Sequence, residues 1–156
     1  MTPAVKALDE LGVPYQLLEY DQNAGGERDI GLAAALALAL PETQVFKTLI
    51  AELAGGELVV AIIPVAAKLH LKKLARTCGA KSATLADTPT AERATGYLTG
   101  GISPLGQKRR HRTFLAEQAS GQDRIYVSAG RRGLELGLAP DVLIEATNAH
   151  VCALVA

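Results

Sequence analysis

Tryptophan is absent from this chain, and four Tyr and two Phe bring the aromatic share to only 4% of 156 residues. A protein that grips unpaired bases by stacking needs a platform of such rings, and none is evident here. Cysteine is nearly as scarce. Cys78 and Cys152 lie far apart and outside any metal-ligand spacing, which removes a disulfide framework and points to a reduced, cytoplasmic setting. His70, His111 and His150 do not cluster either, so no metal and no other cofactor is expected. No apolar run reaches the ~18–20 residues of a membrane span. The opening Met1-Thr2-Pro3 carries no basic stretch ahead of an apolar one, so a secretory leader is not expected. Neither a membrane nor DNA is among the expected partners.

Net charge is also missing, the 16 basic and 16 acidic residues cancelling. The balance hides an asymmetry. Residues 1–60 hold three Lys or Arg against nine Asp or Glu, a net −6, and residues 61–156 carry the compensating +6. A basic C-terminal half can face a phosphate backbone. It can equally be an ordinary solvated surface whose charges mix in space.

What the chain does have is apolar residues, 49% of the total, enough for one folded domain over 1–156. Thr2 followed by Pro3 marks a helix start, and Gly12 with Pro14 its end. Tyr15 to Tyr20 reads as a strand, Asp21 to Asp29 as a polar loop, and Ile30 to Leu40 as a short buried helix stopped by Pro41. Val45 to Leu53 and Glu57 to Val65 flank Ala54-Gly55-Gly56 as a hairpin. A helix over Leu71 to Cys78 ends at Gly79, a short strand covers Lys81 to Ala86, and Thr88-Pro89 opens another helical turn. Tyr97 to Gly106 is rich in turns. Strands follow at Arg112 to Ala116, Arg124 to Ser128 and Leu134 to Leu138, then a helix from Pro140 and a closing strand from Val151 to Val155. Strands dominate without a strict βαβ repeat, which predicts an α+β fold with a mixed, curved, barrel-like β-sheet flanked by helices.

Two stretches stand out chemically. Lys47 interrupts the apolar strand Val45-Phe46-Lys47-Thr48-Leu49 and shares a face with Val45 and Leu49, because side chains alternate across a strand. Lysine is almost never buried without a partner, so Lys47 is either a site residue or an edge residue whose ammonium reaches water. Gly100-Gly101 precedes Ile102-Ser103-Pro104, and such a turn allows close backbone approach and leaves N–H groups to face an oxyanion or phosphate. A plain turn explains it as well. Lys108, Arg109 and Arg110, continuing into His111 and Arg112, form the densest basic run, with Arg131-Arg132 a second cluster. Both are candidates for salt-sensitive contacts to an RNA backbone.

Taken together, Val45-Phe46-Lys47-Thr48-Leu49, Gly96-Tyr97, Gly100 through Lys108, and Tyr126-Val127-Ser128 with Gly130, Arg132 and Gly133 resemble the YbaK family. These proteins are free-standing relatives of the editing domain inserted in bacterial prolyl-tRNA synthetase. Thr2-Pro3-Ala4 and Tyr20-Asp21 extend the resemblance from end to end. The resemblance implies hydrolytic removal of cysteine from tRNA for proline, an aminoacylated 3′ end as the bound partner, and a transient complex with prolyl-tRNA synthetase. By motif match it carries over Lys47, Gly100 and Gly101 as catalytic positions. Tyr20, Ile30, Thr48, Ser103, Ser128 and Glu135 follow as substrate-binding positions. Ile30 stands where the family often has an aromatic residue, which leaves selectivity between cysteine and alanine open.

No nucleophile–base pair is visible in the sequence, but an aminoacyl ester is already activated. A cysteinyl ester also brings its own thiol, a few per cent ionised at pH 7. The expected route is therefore attack by the substrate's thiol, with the Gly100-Gly101 amides stabilising the oxyanion and Lys47 fixing the terminal ribose-phosphate or the reacting end. Two alternatives stand beside it, an alanyl-tRNA deacylase and a non-catalytic module that holds a tRNA end or a partner protein.

Overall fold

The computed structural model describes residues 1–21 and 30–156. The expected 21–29 loop therefore lies, from residue 22 on, outside the described residues. In order the chain runs α1 (Pro3–Leu11), β1 (Gln16–Glu19), α2 (Ile30–Ala37), β2 (Phe46–Leu53), β3 (Leu58–Pro64), α3 (Leu71–Cys78), β4 (Ala83–Leu85) and α4 (Thr88–Thr95). After a long turn-rich segment come β5 (Thr113–Ala116), β6 (Ile125–Ser128), β7 (Leu134–Leu138), α5 (Pro140–Thr147) and β8 (His150–Cys152).

The helix ends obey local chemistry. The Thr2 hydroxyl accepts from the Val5 amide, and Gly12 closes α1 in the left-handed conformation, where glycine has no Cβ to clash. Asp87 caps α4 through the Thr90 amide at 2.8 Å, and His70 caps α3 with Nδ1 accepting from Lys73. The closing strand differs from expectation. It covers His150–Cys152, and beyond it only Val155 bridges back, to Leu69.

The strands form two sheets rather than one. β1-β7-β6 is antiparallel throughout, whereas the five-stranded sheet β4-β2-β3-β5-β8 mixes antiparallel pairs with parallel β3–β5 and β5–β8. A parallel bridge from Val45 to Tyr126 joins them, and they do not close into a barrel. The reason is visible in β2. It is paired to β3 along its length, but β4 pairs only with Ala51 to Leu53. From Phe46 to Leu49 the strand therefore has one edge without a strand partner among the described residues.

The main core takes Val59 to Ile63 of β3, fully buried, together with α1, α3, β5, β7 and α5. A second, smaller cluster of Ala35, Val45, Val65 and Tyr126 seats α2 beside the bridge between sheets. The unpaired edge of β2 thus opens beside α2, and that opening is the site.

Candidate active site

A cavity of about 310 Å³ lies against this edge, at the small end for ligand pockets. Six consecutive residues, Val45 to Ile50, line it, as an edge-on strand allows. Ile30 and Gly31 of α2 form one wall, Leu85, Thr88 and Ala91 another, and Thr99, Gly100 and Ile102 a third. Ser128 and Glu135 close the floor from β6 and β7, where they are direct cross-strand partners.

Lys47 is half-buried and lines the cavity. Its side chain makes no hydrogen bond or ion pair among the described residues. The edge of β2 allows this: a lysine stem can lie along an apolar wall while its ammonium reaches a polar opening. Thr48 beside it also lines the cavity, and its buried Oγ1 has no hydrogen-bond partner among the described residues.

Glu135 is the other unsatisfied group. It sits on the middle strand of the antiparallel sheet, flanked by Leu18 and Ser128, and is 6% exposed. Its Oε2 has no hydrogen-bond partner among the described residues. Burial disfavours the charged carboxylate and lifts its pKa to about 8. At neutral pH this side chain is therefore mostly an uncharged acid. Tyr20 does not line the cavity, but it stands close enough for the charges of Glu135 and Arg132 to act on it. Burial is the main cause of its raised pKa; a backbone hydrogen bond with Gly133 opposes the shift.

The glycine turn behaves differently at its two residues. Gly100 lines the cavity with φ +92°. A Cβ there would come within 2.6 Å of both Arg132 Nε and Ile30 Cδ1, so the turn needs glycine for conformation and for space. Its N–H has no partner among the described residues. Gly101 is not part of the wall. Its N–H donates to the Leu98 carbonyl at 2.9 Å, and a Cβ would lie 2.7 Å from Arg131 Cα. The expectation of a paired amide cradle is thus corrected to a single free amide, because the second closes the turn.

Ser103 needs the same correction. It is fully buried and its Oγ accepts from the Leu105 amide at 3.3 Å, which makes it part of the turn rather than of the wall. That segment is anchored by Tyr97, whose hydroxyl donates to the Leu105 carbonyl at 2.6 Å and whose ring packs on Gly130. Burial pushes the Tyr97 phenol up to about 12, so it remains a donor.

The basic residues separate. Arg132 lies over Gly100 at the cavity. Arg109 and Arg110 line a different cleft, along the other flank of α4, and also the adjoining groove beside α1 that Lys108 lines. Leu85, Thr88, Thr99 and Ile102 also line the cavity without having been singled out as site residues. They come from three separate segments, and nothing local marks them.

No histidine or cysteine lines the cavity among the described residues. The wall offers hydroxyls, one ammonium, one amide and one neutral carboxyl around an apolar space. Such a wall can hold and polarise an ester without attacking it through an imidazole or a protein thiol.

The chain belongs to the aminoacyl-tRNA editing domain family, whose model matches residues 28–146. It is 36% identical to the "Putative Cys-tRNA(Pro)/Cys-tRNA(Cys) deacylase EbsC" of Enterococcus faecalis, over 94% of this chain and 88% of that one. Two solved structures share the fold. One is described as "a putative trans-editing enzyme for prolyl tRNA synthetase", with a TM-score of 0.85 at 22% identity, covering 100% of this chain and 99% of that one. The other is a hypothetical protein, APE2540, with a TM-score of 0.87 at 23% identity, covering 99% and 100%. Among the described residues no helix is long and apolar enough to cross a membrane.

Proposed function

We propose that this protein removes cysteine from mischarged tRNA for proline, acting in trans in the cytoplasm on the tRNA 3′ end. The observation that carries the reading is the meeting of Lys47, Thr48, Gly100, Ser128 and Glu135 around one small cavity. These are residues from four separate stretches of chain. A relative named for the same substrate supports it.

The chemistry follows from what the wall lacks. With no imidazole or protein thiol lining the cavity, the nucleophile is the substrate's own thiol. Its sulfur bonds to the ester carbonyl carbon, and the carbon–oxygen bond to the terminal ribose then breaks. The ribose oxygen leaves with the proton that the thiol gave up, and water opens the resulting thiolactone. Carbonyl oxygen charge develops during attack, and two groups are free to meet it, the Gly100 N–H and the Lys47 ammonium. Preorganised donors of this kind act before any reorganisation is needed. The apolar wall of Ile30, Leu49, Leu85 and Ile102 holds a small side chain near its carbonyl, which supplies the effective concentration of an intramolecular attack. The tRNA is delivered by a transient complex with prolyl-tRNA synthetase, a reading supported by the solved structure described as a trans-editing enzyme for that synthetase.

The test is single-turnover deacylation of cysteinyl-, alanyl- and serinyl-tRNA for proline. The reading requires cysteinyl-tRNA to be cleared at least about ten times faster than the other two. Equal clearance of serinyl-tRNA removes the thiol route, and preference for alanyl-tRNA replaces the substrate.

A further inference from the structure

The cleft along the other flank of α4 is open, about 600 Å³, and strongly cationic. Its wall includes Arg93 from α4 and Arg109, Arg110 and Arg112 from the chain leading into β5, with Glu57 from the turn before β3. Arg112 is spent on Glu57, which accepts two hydrogen bonds at 2.8 and 2.9 Å. The other three arginines are exposed, and none makes a hydrogen bond or ion pair among the described residues. Arg93 lies close enough to Asp87 to lower that carboxyl's pKa, behind the hydrogen bonds from Thr90. His111, half-buried in the same wall, is held below its ordinary value first by burial and then by the charge of Arg109. Three guanidinium groups thus share a cleft with too little negative charge to balance them.

Helix geometry ties this cleft to the cavity. Thr88 and Ala91, one turn apart on α4, face the cavity, whereas Thr90, Arg93 and Ala94 face the cleft. At 100° per residue Thr88 and Thr90 lie about 160° apart around the helix, whereas Ala91 and Ala94, three residues apart, share a flank. The two openings therefore flank one helix, whose diameter with side chains is roughly 10–12 Å. A nucleic-acid strand advances about 3.4 Å of axis per phosphate, so about three nucleotides cover that distance.

We infer that the cleft is a second RNA-contact surface, with Arg93, Arg109 and Arg110 holding the phosphate backbone of the acceptor stem while the aminoacylated 3′ end occupies the cavity. The inference rests on the deacylase reading for the substrate in the cavity. Guanidinium forks match phosphate oxygens in geometry and charge. The cleft contains no Phe, Tyr or Trp, so it takes the backbone and does not read bases by stacking. Lys108 lines the adjoining groove, which shares Arg109 and Arg110 with the cleft, and Arg132 lies at the cavity mouth, so the grip within the cleft itself falls to Arg93, Arg109 and Arg110.

The experiment uses an uncharged RNA hairpin with an acceptor-stem duplex and a single-stranded 3′ end, followed by fluorescence anisotropy between 50 and 200 mM salt. Each phosphate contact contributes a slope of about 0.9 in log affinity against log salt. The triple variant Arg93→Ala/Arg109→Ala/Arg110→Ala should lose about 2–3 of that slope and at least about ten-fold in affinity at the lowest salt. Arg93→Ala alone should lose about one. In deacylation, KM for the charged hairpin should rise about ten-fold with kcat unchanged, while a charged trinucleotide should be cleaved as before. An unchanged salt slope overturns the inference, including where the variant instead loses binding to an acidic protein surface. An equal KM defect with the trinucleotide also overturns it, since the arginines would then act at the cavity. If neither protein cleaves any charged RNA but the slope difference holds, the cleft stands and the deacylase reading falls.

Discussion

The cavity and the cleft lie on either side of α4, and each solves the problem of charge differently. The cavity is small and mainly apolar, with one unpaired ammonium at Lys47 and one carboxyl, Glu135, that burial has neutralised. The cleft is wider and open, and its arginines stay charged in water. Electrostatic interactions are worth far more where water is excluded. A single cation in the cavity can therefore dominate a reaction, whereas the cleft needs several to achieve a salt-sensitive grip. On the proposed reading, chemistry sits on one side of the helix and affinity on the other.

The sharpest way to break that division is Lys47→Ala. Loss of an oxyanion or positioning cation in a desolvated site costs about 10²–10³ in rate. Single-turnover deacylation should fall by that factor, while anisotropy with the uncharged hairpin changes less than about three-fold. A variant that lost binding and kept its rate would place the grip in the cavity and reverse the comparison.

Glu135→Gln probes the neutral carboxyl. In the folded protein Glu135 keeps its proton up to about pH 8, whereas the unfolded chain releases it near 4.5. Between those values the native state binds the extra proton, so stability falls as pH rises through the window and is fully present only below it. The total is on the order of 3–5 kcal/mol at 1.36 kcal/mol per unit. Wild-type melting temperature should drop from pH 5 to pH 8, and the glutamine variant should show a much flatter profile. Parallel profiles would mean that Glu135 is solvated and ionised.

Gly101→Ala comes next. Its Cβ would meet the backbone of Arg131 and Arg132, which cannot rotate away as a side-chain tip can. Overpacking of this kind costs about 1–3 kcal/mol. Thermal unfolding should show that loss. Gly100→Ala should lower both stability and deacylation, because its positive φ disfavours a side chain and its Cβ would meet Arg132 and Ile30 at the cavity itself.

These glycines also show what the sequence could and could not convey. Both were legible as a tight turn, but which amide stays free depends on the Leu98 carbonyl and on a turn more than 25 residues away. Helix starts were readable where local chemistry marks them, Thr2-Pro3 with Gly12 for α1 and Thr88-Pro89 for α4, whereas α2 ends at Ala37 and not at Leu40. The hairpin of β2 and β3 was readable for the same reason. Two sheets in place of one were not, because β1 pairs with β7 and β5 with both β3 and β8, partners fixed by burial and not by neighbours in sequence. Glu135 illustrates the limit. Leu134-Glu135-Leu136 alternates like a strand with one wet face, yet the structure buries that face under the cavity wall. Family resemblance identified the position; the alternation pointed it toward solvent.

The smallest effect expected is from removing the ion pair inside the cleft. Glu57 and Arg112 face each other in a fork, yet both side chains are about half exposed, at 49% and 48%. Arg112 lowers the Glu57 pKa through that hydrogen bond, so its small stabilisation is present above the unfolded value and fades as pH falls through the lowered one. Solvent screening keeps such pairs within about 0–1 kcal/mol. The double variant Glu57→Gln/Arg112→Gln leaves the net charge of the cleft unchanged, since one charge of each sign is lost. Hairpin affinity should stay within about two-fold and the salt slope within about half a unit of wild type. This is where the comparison sharpens. If unpaired charge is what grips phosphate, deleting a neutralised pair from the same wall must do almost nothing, while deleting Arg93 alone must register. Equal losses from the two would show that the cleft works by shape, and the contrast with the cavity would no longer be one of charge.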